Sequence, residues 1–265
     1  MREHGIEAGA DPESAPLLGV SSVPSRDFAN ADLAVSFGGD GTLIRAAHLC
    51  SETGTPILGV YYGRFGFVTQ CDGPELGACL SAFMDGQVRI ESRMMIQTDL
   101  IRNGKTVAAV HSLNEAVIQR AVTVPMLTFR VSVDGWLLNT YPADGVIVST
   151  PTGSTGYNLS AGGPILDPRL QAVIITAIAP HTLSARPLVL GPESVVAVGV
   201  SLEGEAVLSS DGATRLHLLT GDEIQVRRSP RTTNLVSVER DDFLIKLGQR
   251  LFWHQGLQVR QVAAT

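Results

Sequence analysis

Two apolar patterns divide the chain. In its first third, short uninterrupted apolar runs each lead into a glycine-rich stretch and then into residues with apolar positions at helical spacing. Leu33 to Ser36 is such a run, Phe37-Gly38-Gly39-Asp40-Gly41-Thr42 is the loop after it, and Thr42 to Glu52 reads as a helix rich in Ala and Leu. Pro56-Ile57-Leu58-Gly59-Val60 opens a second round, which runs through Gly63-Arg64-Phe65-Gly66-Phe67 to a helical stretch from Pro74 to Met84. Repetition of buried strand, loop and helix predicts a parallel α/β sheet of Rossmann-like kind.

From Arg93 the pattern turns to extended runs. Ile96 to Arg102 and Thr106 to His111 flank Asn103-Gly104, and Leu127 to Val133 and Trp136 to Thr140 flank Asp134-Gly135, each a hairpin signature. Further β-like runs cover Ala116 to Gln119, Ala172 to Ala177, Ser194 to Leu202, Glu205 to Ser209 and Glu223 to Val226. Asp242 to Arg250 reads as a helix and Leu251 to Val259 as a strand, a tail able to return to the first domain. The expected fold class is an α/β domain over 1–92 and an all-β domain over 93–241, with 242–265 as the returning segment. Residues 1 to about 28 show little periodicity and predict little structure.

Composition narrows the function classes. No apolar run approaches the roughly 20 residues of a membrane span, and Met1 to Glu7 lack the apolar core of a signal peptide, so a cytoplasmic protein without membrane contact is expected. A formal charge of −6 argues against nucleic-acid binding. The one basic cluster, Arg227-Arg228-Ser229-Pro230-Arg231, reads as a strand end running into a turn, with a phosphate or subunit contact as the alternative. Cys50, Cys71 and Cys79 are odd in number and lack CxxC spacing, which predicts reduced packing residues.

Two loops carry candidate chemistry. In Gly38-Gly39-Asp40-Gly41-Thr42 the glycines let the backbone approach a ligand, and the following helix offers its positive end to phosphate. Asp40 would be repelled there unless it serves a metal ion or a substrate hydroxyl, which points to a base in phosphoryl transfer; the alternative is a helix cap. The run from Ala143 to Pro164 sets hydroxyls and glycines behind the apolar strand Val146 to Val148, with Thr152, Ser154, Thr155 and Tyr157 as donors to phosphate or ribose. Asn114-Glu115 pairs a carboxamide with a carboxylate, able to read a base or sugar, although by itself a turn contact is the commoner explanation of such a dipeptide.

These segments, with Leu113-Asn114-Glu115, Asp144 to Pro164 and Pro180-His181-Thr182-Leu183-Ser184, resemble the NAD kinase family. The glycine–aspartate loop alone is similar to lipid and sugar kinases of the same superfamily, whereas Thr150-Pro151-Thr152-Gly153-Ser154-Thr155 followed by Gly162-Gly163-Pro164 is more specific. The resemblance implies transfer of a phosphoryl group from ATP or polyphosphate to the adenosine-ribose 2′-hydroxyl of NAD. It implies Asp40 as catalytic base and Gly38, Gly39 and Thr42 as the phosphate loop. It implies Gly41, Phe67, Asn114, Glu115, Asp144, Thr152, Thr155, Gly156, Tyr157 and Ser160 as nucleotide contacts, Asp211-Gly212 as a further loop at the site, and a β-sandwich-like second domain. Magnesium or another divalent cation, and a homodimer or homotetramer, are implied as well. Tyr61 stands where the family commonly has Asn, and Gly156 where Ala is frequent. The family also opens with a strand and helix whose last turn Arg2 to Glu7 resembles, so that opening unit is expected to be missing. A non-catalytic nucleotide-binding protein is the remaining alternative.

Overall fold

The structure, a computed structural model, describes residues 5–62, 66–121, 126–182, 184–201, 205–237 and 243–251. Gly63, Arg64, Phe65, Leu183 and the strand expected after Leu251 lie outside them. Strands β1 (Gly9–Ala10) and β2 (Ser21–Ser22) pair in parallel around the short helix α1 (Ala15–Leu18). Composition predicted little order there. It is organised by Asp11, whose carboxylate accepts from the Glu13 and Ser14 amides at 3.0 Å and starts the turn into α1.

The strand and helix grammar then runs as expected through β3 (Ala34–Phe37), α2 (Asp40–Cys50), β4 (Ile57–Tyr61), β5 (Cys71–Asp72) and α3 (Leu76–Met84). β3, β4 and β5 are parallel, with Val35 beside Leu58 and Val60 beside Cys71. Helices cover both faces of β4, which is why it is apolar throughout. On one face Leu43, Ala47 and Cys50 of α2 pack with Ile57, Met95 and Leu235; on the other Leu58 and Val60 meet Cys71, Cys79 and α3. The three cysteines are free and buried, and burial raises the Cys50 and Cys71 thiols above their ordinary range.

Strands follow almost without interruption: β6 (Arg89–Arg102), β7 (Lys105–Ser112), β8 (Glu115–Arg120), β9 (Leu127–Val133), β10 (Trp136–Ala143) and β11 (Gly145–Ser149). After the one-turn helix α4 (Tyr157–Ser160) come β12 (Val173–Ile178), β13 (Leu188–Leu190), β14 (Val196–Ser201), β15 (Ala206–Ser210), β16 (Thr214–Leu218), β17 (Glu223–Ser237) and the helix α5 (Phe243–Arg250). Both predicted hairpins form. Asn103 and Gly104 have φ of 51° and 72°, and Asp134 and Gly135 have 51° and 82°, the mirror-image turns those dipeptides favour.

Among the described residues six strands make one antiparallel sheet in the order β13-β12-β11-β8-β15-β16, and nine make a mixed sheet, six along the path β10-β9-β14-β17-β4-β3 with β5 beside β4, β6 beside β17 and β7 beside β6. Ile118, Val146, Val148 and Leu208 of the first pack against Ile96, Phe129, Val131 and Ile224 of the second, so the β-rich part is a sandwich. The fold is α/β joined to a β-sandwich, and among the described residues no helix is long and apolar enough to cross a membrane.

Two strands outrun their sequence signals. β6 begins at Arg89, so the expected boundary between 92 and 93 falls inside it. β17 continues to Ser237 through the cluster read as a turn, because its ladder with β6 resumes beyond it, Thr232 opposite Met94 and Ser237 opposite Arg89. The arginines meet carboxylates on the way, Arg227 on Asp99, Arg228 on Glu193 at 3.3 Å, and Arg231 on Glu52 at 3.5 Å. Pro230, which has no N–H to give, sits where the register with β6 slips. The first part of β17 lies beside β14, and Leu235 in its second part pairs with Ile57 of β4. α5 folds back onto the segment between β4 and β5, with Leu247 buried, Lys246 Nζ donating to the Thr69 carbonyl at 3.3 Å, and the Arg250 guanidinium 5.7 Å from the Phe67 ring centre.

Candidate active site

Asp40 opens α2 at the carboxyl ends of the parallel strands, the usual ligand edge of such a sheet. It caps nothing. Gly39 holds the cap position, while the Asp40 carboxylate turns to the segment after β4 and accepts from the Phe67 amide at 2.9 Å and the Val68 amide at 3.2 Å. Those two donors offset the cost of a carboxylate beside a phosphate loop. Gly66 makes the approach feasible, since a Cβ there would lie 1.7 Å from Asp40 Oδ1. A Cβ on Gly39 or Gly41 would meet nothing, because both face an open cleft. Gly39, Gly41, Thr42 and Arg45 line one wall of that cleft, and Asp211, Gly212 and Ala213 the other.

The opposite wall is organised by Asp211, in the turn between β15 and β16 with φ of 47°. Its fully buried carboxylate accepts three consecutive amides, Leu113 at 2.7 Å, Asn114 at 2.9 Å and Glu115 at 3.0 Å. His48 of α2 adds a fourth bond, Nε2 to Oδ2 at 2.7 Å. Sequence reasoning reached Asp211 only through resemblance and missed His48. The legible signal was Asp-Gly before a strand, a turn that tolerates positive φ.

Asn114 and Glu115 meet the hydroxyl-rich loop after β11. The Asn114 carbonyl accepts the Thr150 amide at 2.8 Å and Ser149 Oγ at 3.1 Å, while Thr150 Oγ1 donates to the Leu113 carbonyl at 2.6 Å. Gly153 lies so close that a Cβ there would fall 2.2 Å from the Asn114 carbonyl oxygen. Glu115 is 8% exposed, and its Oε2 has no hydrogen-bond partner among the described residues, although Gly156 stands against it. Burial, then the charge of Asp211, pushes its carboxyl up to about 7, against the pull of the Tyr157 amide. A buried acceptor left open at the edge of a loop is suited to a donor from a ligand.

Within that loop the roles divide in ways the sequence did not separate. Ser154, expected as a free donor, is buried: its Oγ donates to the Leu166 carbonyl at 3.2 Å and accepts the Leu166 amide at 3.0 Å. Thr155 Oγ1 reaches the carbonyl of the buried Thr152 at 3.4 Å, whereas Tyr157 and Ser160 are exposed. Asn158, not singled out beforehand, pins the loop. Its Nδ2 donates to the Ser154 and Pro164 carbonyls at 3.1 Å, and its Oδ1 accepts Thr176 Oγ1 at 2.7 Å.

Asp144 stands apart. β11 pairs Ser149 with Glu115 and Gly145 with Gln119, so Asp144 lies the length of that strand, roughly 17 Å, from Glu115. There it accepts Arg120 Nε at 2.7 Å. Among the described residues no group of three or more His, Cys, Asp or Glu converges, so they offer magnesium no cage of their own.

Comparison with known proteins bears on the chain as a whole. Residues 10–88 match the ATP-NAD kinase N-terminal domain, and residues 113–238 the ATP-NAD kinase C-terminal domain. An NAD kinase of Desulforamulus reducens is 39% identical over 97% of this chain and 91% of its own length. One of Geobacter sulfurreducens is 40% identical over 95% and 85%. Among solved structures, yeast NADH kinase complexed with NADH superposes with a TM-score of 0.88 at 26% identity, over 97% of this chain and 81% of that one. An NAD kinase from Archaeoglobus fulgidus in complex with ATP gives 0.75 at 27%, over 91% and 92%. With both domain matches in chain order and identity near two residues in five across nearly the whole length, the chain belongs to the NAD kinase family.

Proposed function

We propose that this protein transfers the terminal phosphoryl group of ATP to the 2′-hydroxyl of the adenosine ribose of NAD, giving NADP. The observation that carries the reading is Asp40, a carboxylate fixed by two main-chain amides and set between Gly39 and Gly41, which line the cleft. In a loose phosphoryl-transfer transition state the hydroxyl proton leaves late, so a base need only orient the hydroxyl and take its proton as the new O–P bond forms. Gly38, Gly39, Gly41 and Thr42, at the start of α2, receive the donor phosphates, and magnesium arrives with them, since that ion is held by substrate phosphates with one or two carboxylates. Asn114 and the open oxygen of Glu115 take ribose hydroxyls, with Thr152, Thr155, Gly156, Tyr157 and Ser160 around the nucleotide and Phe67 near the adenine.

Asp144, beyond one strand's length from this cluster, contacts the far end of the dinucleotide. The protein works in the cytoplasm and as a homo-oligomer, the latter supported by Trp136, Leu137 and Leu138, exposed on the edge strand β10. The protein with NAD, ATP and magnesium is expected to form NADP. Asp40→Asn is expected to lower kcat by about a hundredfold or more while NAD binding stays within a few fold. Undiminished turnover in Asp40→Asn would remove Asp40 from the role of base.

A further inference from the structure

We infer that His48 and Asp211 form a positioning joint, which sets where Asp40 stands relative to the Asn114-Glu115 pair and so governs turnover rather than substrate affinity. The inference rests on the roles proposed above for those three residues. α2 carries Asp40 at its first position and His48 two turns along, so on a rigid helix whatever holds the imidazole also aims the carboxylate. The Asp211 carboxylate, wholly buried, is where α2 and the Leu113 to Glu115 segment meet. It takes three consecutive amides from the Leu113 to Glu115 segment and one imidazole N–H from α2.

Within Asp40–Cys50 the other contacts with the β-rich part do not fix direction, and the directional bond of Asn234 Nδ2 to the Gly54 carbonyl at 2.8 Å lies beyond the helix. Leu43, Ala47 and Cys50 pack against Met95, Leu113 and Leu235, an attraction proportional to area and indifferent to angle. Arg231 meets Glu52 at 3.5 Å on the exposed surface, where such pairs hold little. The His48 to Asp211 bond at 2.7 Å is short, charge-assisted and directional. Displacement of a reacting group by about 1 Å costs on the order of a hundredfold in rate, so a joint of this kind acts on kcat.

The test compares wild type, His48→Ala and His48→Gln by steady-state kinetics, calorimetric titration of NAD and thermal melting. His48→Ala is expected to lose about tenfold or more in kcat, with the Kd for NAD changed by less than about twofold. His48→Gln, whose amide nitrogen can donate to the same carboxylate, is expected to recover most of the loss. In an Asp40→Asn background His48→Ala should add nothing further, because there is no longer a base to aim. The joint is overturned if His48→Ala retains full kcat, if its defect appears as weaker NAD binding, if Gln does no better than Ala, or if the two losses multiply. Wild type that makes no NADP would instead overturn the proposed function itself.

Discussion

Glu115 is a carboxyl group that folding holds close to neutrality. Its ordinary value of 4.5 rises to about 7, because burial and the nearby Asp211 both disfavour its charge. Between those two values the folded protein binds more protons than the unfolded chain, so this group contributes a stability that falls as pH rises from 4.5 to 7 and stays reduced above. Glu115→Gln removes the dependence. Melting temperatures of the variant and wild type at pH 5 and pH 8 should show the variant gaining at the higher pH, by on the order of 2–3 kcal/mol; an unchanged gap would refute the shifted carboxyl. At this scale the sequence was half legible. Asn114-Glu115 and Asp40 announce themselves as polar groups in apolar or glycine-rich surroundings. The hub around Asp211 does not, because its partners are mostly main-chain amides, which every residue but proline carries.

Short elements here depend on single side chains. Helix α4 has only four residues and cannot sustain itself, so Tyr157 and Ser160 keep their places through Asn158 beneath them. Asn158→Ala strands two carbonyls and a threonine hydroxyl, for an expected loss on the order of 3 kcal/mol in urea unfolding. KM for NAD should rise while KM for ATP stays nearly constant; equal rises would show that the loop serves both substrates. Hairpins were readable because Asn-Gly and Asp-Gly name their turn conformation. β17 was not, since Arg-Arg-Ser-Pro-Arg has the composition of a turn, and it is the ladder with the distant β6, formed on both sides of the cluster, that makes it a strand. Such partners are supplied by folding and leave no local mark.

For the molecule as a whole, the change from helical to extended patterns gave the architecture, yet it implied two bodies where one sheet runs through both. β17 pairs with β14, β6 and β4, so neither part can keep its sheet if the other unfolds. A single cooperative transition is therefore expected, with helix and sheet signals by circular dichroism melting together and calorimetric and van't Hoff enthalpies agreeing. Two resolved transitions would mean that β17 parts from β4 at little cost. A strand shared in this way also governs how the molecule is inherited. Recombination between the coding regions of β6 and β17 would set Asp99 of one parent against Arg227 of the other, and Gly54 of one against the Asn234 that donates to its carbonyl. Drift at Asp99 or Arg227 has to be answered at its partner, so the stretches that carry the two strands descend together, as one gene and not as two exchangeable parts.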